Sequence, residues 1–132
     1  MARVFNLVVF DETISGSSSP PPPAFYTSQE HSALLGSVER LQIQLIVRGA
    51  SSLAAPFNVD ADYEITNAPE FEVWRDAGVK VQANPTAISD IPVVAFNQVS
   101  TIDEQAAYGR FKISCDADVL VQVQLVVAGY AD

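Results

Sequence analysis

Alternation of apolar side chains with a period of two dominates this chain. Val119, Val121, Val123, Leu125 and Val127 alternate with Leu120, Gln122, Gln124 and Val126. Successive side chains of a strand point to opposite faces, so this segment has one wholly apolar face and one mixed face. Leu41, Ile43, Leu45 and Val47 alternate in the same way with Gln42, Gln44, Ile46 and Arg48. Phe57, Val59, Ala61, Tyr63 and Ile65 oppose Asn58, Asp60, Asp62 and Glu64. Phe111, Ile113 and Cys115 oppose Arg110, Lys112 and Ser114. Shorter runs at 4–10, 71–74, 79–82 and 92–96 complete the strand candidates. Their β-branched and aromatic residues suit a pleated, half-buried surface.

Turn chemistry separates these runs. Gly49-Ala50-Ser51-Ser52, Asn67-Ala68-Pro69, Asp76-Ala77-Gly78, Asn84-Pro85 and Asp116-Ala117-Asp118 each supply residues that accept or pre-set turn angles. The fold expected is all-β: an antiparallel β-sandwich, jelly-roll-like, of about eight strands with little helix. Its core is expected to hold Leu41, Ile43, Leu45, Val47, Val59, Ile113, Val121, Val123 and Leu125. One or two helical turns are expected at 28–35 and 101–107, the latter opening on a Thr101-Ile102-Asp103-Glu104 capping pattern.

The 132 residues make one domain, long enough to bury a core without a disulfide or metal. Hydrophobic residues at 48% exclude a disordered chain. Sixteen acids against 7 bases give a net charge of −9, which disfavours a nucleic-acid partner. A single Cys115 excludes an internal disulfide and a multi-cysteine metal cluster, and a single His31 excludes a His-rich zinc site. The apolar run at 4–10 is too short for a signal peptide before Asp11-Glu12 and reads as a first strand. The run at 119–131 is too short to span a bilayer, so no membrane partner is expected.

Residues 15–23 read SGSSSPPPP, flexible at the start and semi-rigid at the prolines. The chain divides accordingly into a strand or arm at 1–14, a Ser/Gly/Pro-rich linker at 15–23 and a sandwich domain at 24–132. The linker is a long surface loop, or it holds the arm away from its domain. Phe5, Leu7 and Val9 alternate with Val4, Asn6 and Val8, and an unpaired strand invites partners. The arm is therefore expected to pair outside its own domain. An internal echo aligns LQIQLIVRG (41–49) with VQVQLVVAG (121–129), and both place a Gln-x-Gln pair opposite an apolar face. Amides there can meet a neighbouring chain without burying charge. Val4, Phe5, Leu7, Val9, Gln42, Gln44, Gln122, Gln124 and Trp74 are the candidate interface residues.

Catalytic readings are weak. Asp60, Asp62 and Glu64 share one strand face, where a solvated acidic surface, a calcium site and a glycosidase pair are the alternatives. Asp116 and Asp118 read as turn chemistry and lack a calcium-loop pattern. Cys115 lies on the apolar parity of its strand and reads as a structural thiol rather than a nucleophile with His31. No Gly-x-Ser-x-Gly and no phosphate loop occur. Trp74, with Tyr63, Tyr26 or Tyr108, offers a sugar platform, the basis of an alternative reading as a carbohydrate-binding module.

A strand ending at Arg48-Gly49 is followed by one leading through Asn67-Ala68-Pro69-Glu70 to Trp74. The closing pair is Gly109-Arg110-Phe111-Lys112-Ile113, a short turn, and 119–129. In strand order and turn placement over 40–130 this resembles the small β-sandwich decoration (cement) proteins of tailed-phage capsids. The resemblance implies a non-enzymatic virion protein with no catalytic, cofactor-binding or metal-binding residues. Such proteins are made in the host cytoplasm and sit on the outer capsid surface. There they bind the major capsid protein, often as homotrimers, and clamp adjacent capsomers. A mean hydropathy of +0.17 with few charges fits an oligomer.

Overall fold

The computed structural model describes residues 2–18, 25–29, 31–32, 39–52, 56–100 and 108–131. The alternating segments form strands β1 (Ala2–Ser15), β2 (Tyr26–Thr27), β3 (His31–Ser32), β4 (Arg40–Ala50), β5 (Val59–Thr66), β6 (Arg75–Ala83), β7 (Val93–Ser100), β8 (Tyr108–Cys115) and β9 (Leu120–Ala131). Two 3₁₀ turns, Pro69–Phe71 and Ile88–Asp90, are the helical elements among the described residues. The helical turns expected at 28–35 and 101–107 fall mostly outside those residues, as does the proline run. Within the first, 31–32 form β3 instead.

One sheet has the order β1-β9-β4-β7 and the other β2-β8-β5-β6, with β3 also on β8. Every pairing is antiparallel. Because β2 and β3 take successive stretches of the same β8 edge, they share one strand position. The chain thus crosses repeatedly between two sheets of four positions, which is the jelly-roll order.

The period-two pattern explains the packing. Leu41, Ile43, Leu45 and Val47 of β4 and Val121, Val123, Leu125 and Val127 of β9 are fully buried. They face Val59, Ala61, Phe111 and Ile113 of the second sheet, which are equally buried. Tyr63 and Phe111 pack with ring centroids 5.0 Å apart. Gly109 leaves room for this ring, since a Cβ there would lie 2.2 Å from the Tyr63 hydroxyl.

The expected arm is an edge strand of its own domain, which corrects the external pairing expected from the sequence. β1 pairs with β9 of the same chain from Ala2↔Ala131 to Ser15↔Leu120. Two physical reasons account for this. Phe10 and Ile14 bury their side chains in the core, and a register shift between Val8 and Phe10 marks a bulge at Val9. The bulge ends the simple alternation, so Val9 is buried rather than available at an interface. It also leaves the Val9 carbonyl free to accept the Gln29 backbone N–H at 2.8 Å, which ties the open edge to the second sheet. The Tyr26 hydroxyl accepts the Ser15 N–H at 3.1 Å across the same edge. At the opposite edge, Asn97 Nδ2 donates to the Lys80 carbonyl at 2.7 Å.

Residues 16–18 continue this docking. Gly16 N–H donates to the Val119 carbonyl and Ser17 N–H to the Cys115 carbonyl, at 2.9 and 3.1 Å. A Cβ at Gly16 would lie 2.1 Å from the Ala117 carbonyl, so the close approach requires glycine. The strand expected at 71–74 is also corrected. Pro69 lacks an N–H and opens a 3₁₀ turn, which Glu72 closes in the left-handed region at φ 55°.

Leu45→Ala should cost about 2–5 kcal/mol in chemical denaturation. Ile14→Ala should cost an amount of similar order, about 2–5 kcal/mol. An unchanged midpoint for Ile14→Ala would show that β1 does not belong to the folded domain.

Candidate functional site

The two outer faces of the sandwich differ in chemistry. Cross-strand partners share a face, so the register gives the outer rows of β1-β9-β4-β7 directly. One row is Asn6, Ala128, Gln42 and Gln98. The next is Val8, Val126, Gln44 and Phe96, and the third is Asp11, Gln124, Ile46 and Val94. Thr13 and Gln122 follow. Among the described side chains of these rows, charge stands at Arg40, opposite Tyr130 at one end, and in an Arg48–Asp11 ion pair towards the other.

The structure therefore gathers four of the candidate interface residues. Gln42 and Gln44 lie at one end of the β4–β9 pair and Gln122 and Gln124 at the other, because the echoed segments run antiparallel about Leu45↔Leu125. Arg40 donates to Gln98 Oε1 at 2.9 Å, and the Tyr130 hydroxyl donates to Gln42 Oε1 at 3.3 Å. Arg40, Gln42, Gln98 and Tyr130 line a shallow cleft of about 400 Å³. A smaller cleft of about 170 Å³ adjoins it through Gln42 and Tyr130 and reaches Asn6 and Phe96. Phe96 is 60% exposed, and Val94 is also exposed. Tyr130, Phe96 and Gln98 escaped the sequence reading. The alternation of β7 carried the only signal for Phe96 and Gln98. Leu7 lies exposed at the β1 edge, while Val4 and Phe5 belong to β1 with side chains outside the described residues.

The opposite face of β2-β8-β5-β6 is satisfied internally. Glu64 accepts from Arg110 Nε at 3.1 Å in a half-buried pair. Lys80 lies 4.0 Å from Asp60 and 3.9 Å from Asp62. Asp60 also accepts from Gln82 Nε2 at 2.7 Å. The acidic stripe thus faces cations on both neighbouring strands, and among the described residues no cluster is arranged to hold a metal. Burial pushes the Asp62 carboxyl above the usual range, and Lys80 opposes that shift.

Trp74 is not part of the amide face. The Arg110 guanidinium lies 4.3 Å over its ring, and Arg110 also reaches Glu72 at 3.5 Å. One ring face is therefore covered, which weakens Trp74 as a sugar platform. Cys115 is buried, its thiol raised above its ordinary value by desolvation, so it stays protonated and inert. His31 stands opposite Gly109 on β3, and its side chain lies outside the described residues. Asp118 accepts both the Ser18 N–H, at 3.1 Å, and its hydroxyl, at 2.7 Å, and these bonds lower its carboxyl below the usual range. Asp116 accepts from Asn58 N–H at 2.8 Å, so both aspartates are turn braces.

No family model, curated protein or solved structure matches the chain.

The two aspartate shifts have opposite signs. A lowered carboxyl stabilises above its unfolded pKa and loses that contribution as pH falls through its folded value. Ser18→Ala should therefore be less stable than the parent at neutral pH, with the gap closing in acid. A raised carboxyl destabilises when ionised, so Asp62→Asn should be more stable at neutral pH, again converging in acid. Urea midpoints from neutral pH down to about pH 2 check both: the Asp62 gap should close on reaching the ordinary carboxylate range and the Ser18 gap only below it, and a gap that widens on acidification would contradict the assignment.

Proposed function

We propose that the chain is a non-enzymatic virion structural protein that assembles with itself and binds the outside of an icosahedral capsid. There it stabilises contacts between capsomers of the major capsid protein. The observation that supports this reading is the outer face of β1-β9-β4-β7. It combines amides with exposed Val94 and Phe96, and among the described side chains its rows carry charge at Arg40 and in the Arg48–Asp11 pair. A contact surface of this composition buries area while desolvating few ions. The opposite face, with its carboxylates already paired, suits solvent. The jelly-roll order is used by viral shell proteins and by lectins alike, so the face and not the fold carries the reading.

A carbohydrate-binding module is the second reading. It is favoured by the cleft of Arg40, Gln42, Gln98 and Tyr130, which offers amides and an aromatic ring to hydroxyl groups. Mass spectrometry of purified particles from cells carrying the gene separates the two. The proposal expects the chain in the particles, released by denaturant and retained after nuclease treatment. Its absence from particles, with saturable glycan binding lost in Gln98→Ala, would favour the second reading.

A further inference from the structure

The echoed segments 41–49 and 121–129 lie side by side in β4 and β9, antiparallel about Leu45↔Leu125. A half-turn about an axis through that pair, normal to the sheet, exchanges Gln42 with Gln122, Gln44 with Gln124 and Ile46 with Val126. The two central outer rows are Gln44↔Val126 and Ile46↔Gln124. Amides therefore occupy one diagonal of the face and apolar side chains the other. The flanking strands extend the apolar diagonal, since Val8 stands beside Val126 and Val94 beside Ile46. Val8 and Val94 are exposed, and Ile46 and Val126 are half-buried.

Three observations point to a second copy of the chain as the occupant of this face. The first is charge. The chain carries 16 acids against 7 bases, so most approaches of two copies bring like charges together. Among the described side chains of these rows the acid is Asp11, which Arg48 already pairs. The second is unused bonding capacity at the centre of the face. Among the described residues, Gln44 and Gln124 hydrogen-bond to no other side chain. The third is area. Four strands about 4.8 Å apart make a face roughly 20 Å wide, so two crossed faces overlap over roughly 20 Å by 20 Å. Counting both copies and the relief of their side chains, the contact is on the order of 1,000 Å² of accessible surface, the size at which a specific interface holds.

We propose that two copies pack this face against itself about a two-fold axis lying in the interface, with their strands crossing near a right angle. This deepens the self-assembly reading above and rests on it. Face-to-face sheets pack either aligned or orthogonal, and the diagonal pattern selects between them. In an aligned pair centred on Leu45 and Leu125, a two-fold axis along or across the strands lays Gln44 over Val126 or Ile46 of the second copy. Each such contact strips water from an amide and gives it no partner. An orthogonal pair lays amide over amide and apolar over apolar. An amide both donates and accepts, so two of them satisfy each other. Val126 then meets Val126 or Ile46 of the second copy, both apolar. A contact made by the same patch on both copies is closed, so assembly through this face stops at the dimer.

Sedimentation velocity of the full chain should show a dimer that does not grow with concentration. Val126→Lys and Ile46→Glu should each weaken dimerisation by roughly 30-fold or more, since each buries an unpaired charge. Both variants should keep the far-UV spectrum of the parent, because the altered side chains point outward. Mixed variants read the crossing. Val126→Lys should be rescued as a heterodimer by Val126→Glu or by Ile46→Glu, and about tenfold less well by Gln44→Glu. A monomeric parent would overturn the self-assembly reading itself. A dimer that tolerates both Val126→Lys and Ile46→Glu would overturn only the use of this face. Best rescue by Gln44→Glu, or no rescue by any of the three, would overturn the crossed arrangement. An assembly larger than a dimer would overturn the two-fold axis.

Discussion

Pairing of β9 on both sides, with β1 and with β4, is the constraint on which this molecule depends. The inward Val121, Val123, Leu125 and Val127 are fully buried, and each stands beside β4 residues that are also buried. A one-residue slip would turn all four to solvent, so burial fixes the register. The register in turn decides what the outer face carries. Gln42, Gln44, Gln122, Gln124, Val126 and Tyr130 are outward because their neighbours are inward.

A sandwich of this kind has four open strand edges, and each is a hazard for uncontrolled pairing. The chain closes them sideways. The bulge at Val9, the Tyr26 hydroxyl and the docked residues 16–18 join β1 to the second sheet. Asn97 joins β7 to β6. With these edge contacts in place, the outer face of β1-β9-β4-β7 is a broad surface of amides and apolar side chains, with charge at Arg40 and in the Arg48–Asp11 pair. The carboxylates of β5 are meanwhile held by Lys80 and Arg110 on the opposite side.

The fold was legible because alternation is a property of single segments. All nine residues expected in the core are fully buried. What escaped depends on contacts between segments. Val9 keeps the parity of Leu7 in the sequence, and only the shift against β9 reveals the bulge. The run 71–74 is apolar enough for a strand, yet Pro69 and the left-handed Glu72 turn it outward. Trp74 looked like an open aromatic until β8 brought Arg110 over its ring. The four glutamines were legible as outward residues. Their union with Gln98, Phe96 and Tyr130 required knowing that β4 lies between β7 and β9.

The central claim is that assembly occurs through the outer face of β1-β9-β4-β7. Hydroxyl-radical footprinting of the assembled and dissociated chain tests it most directly. Phe96 and Tyr130 should lose reactivity on assembly, whereas Phe25, which lies under Lys112 on the other sheet, and Ile88 should keep theirs. Protection of Phe25 and Ile88 with Phe96 and Tyr130 unchanged would contradict the account.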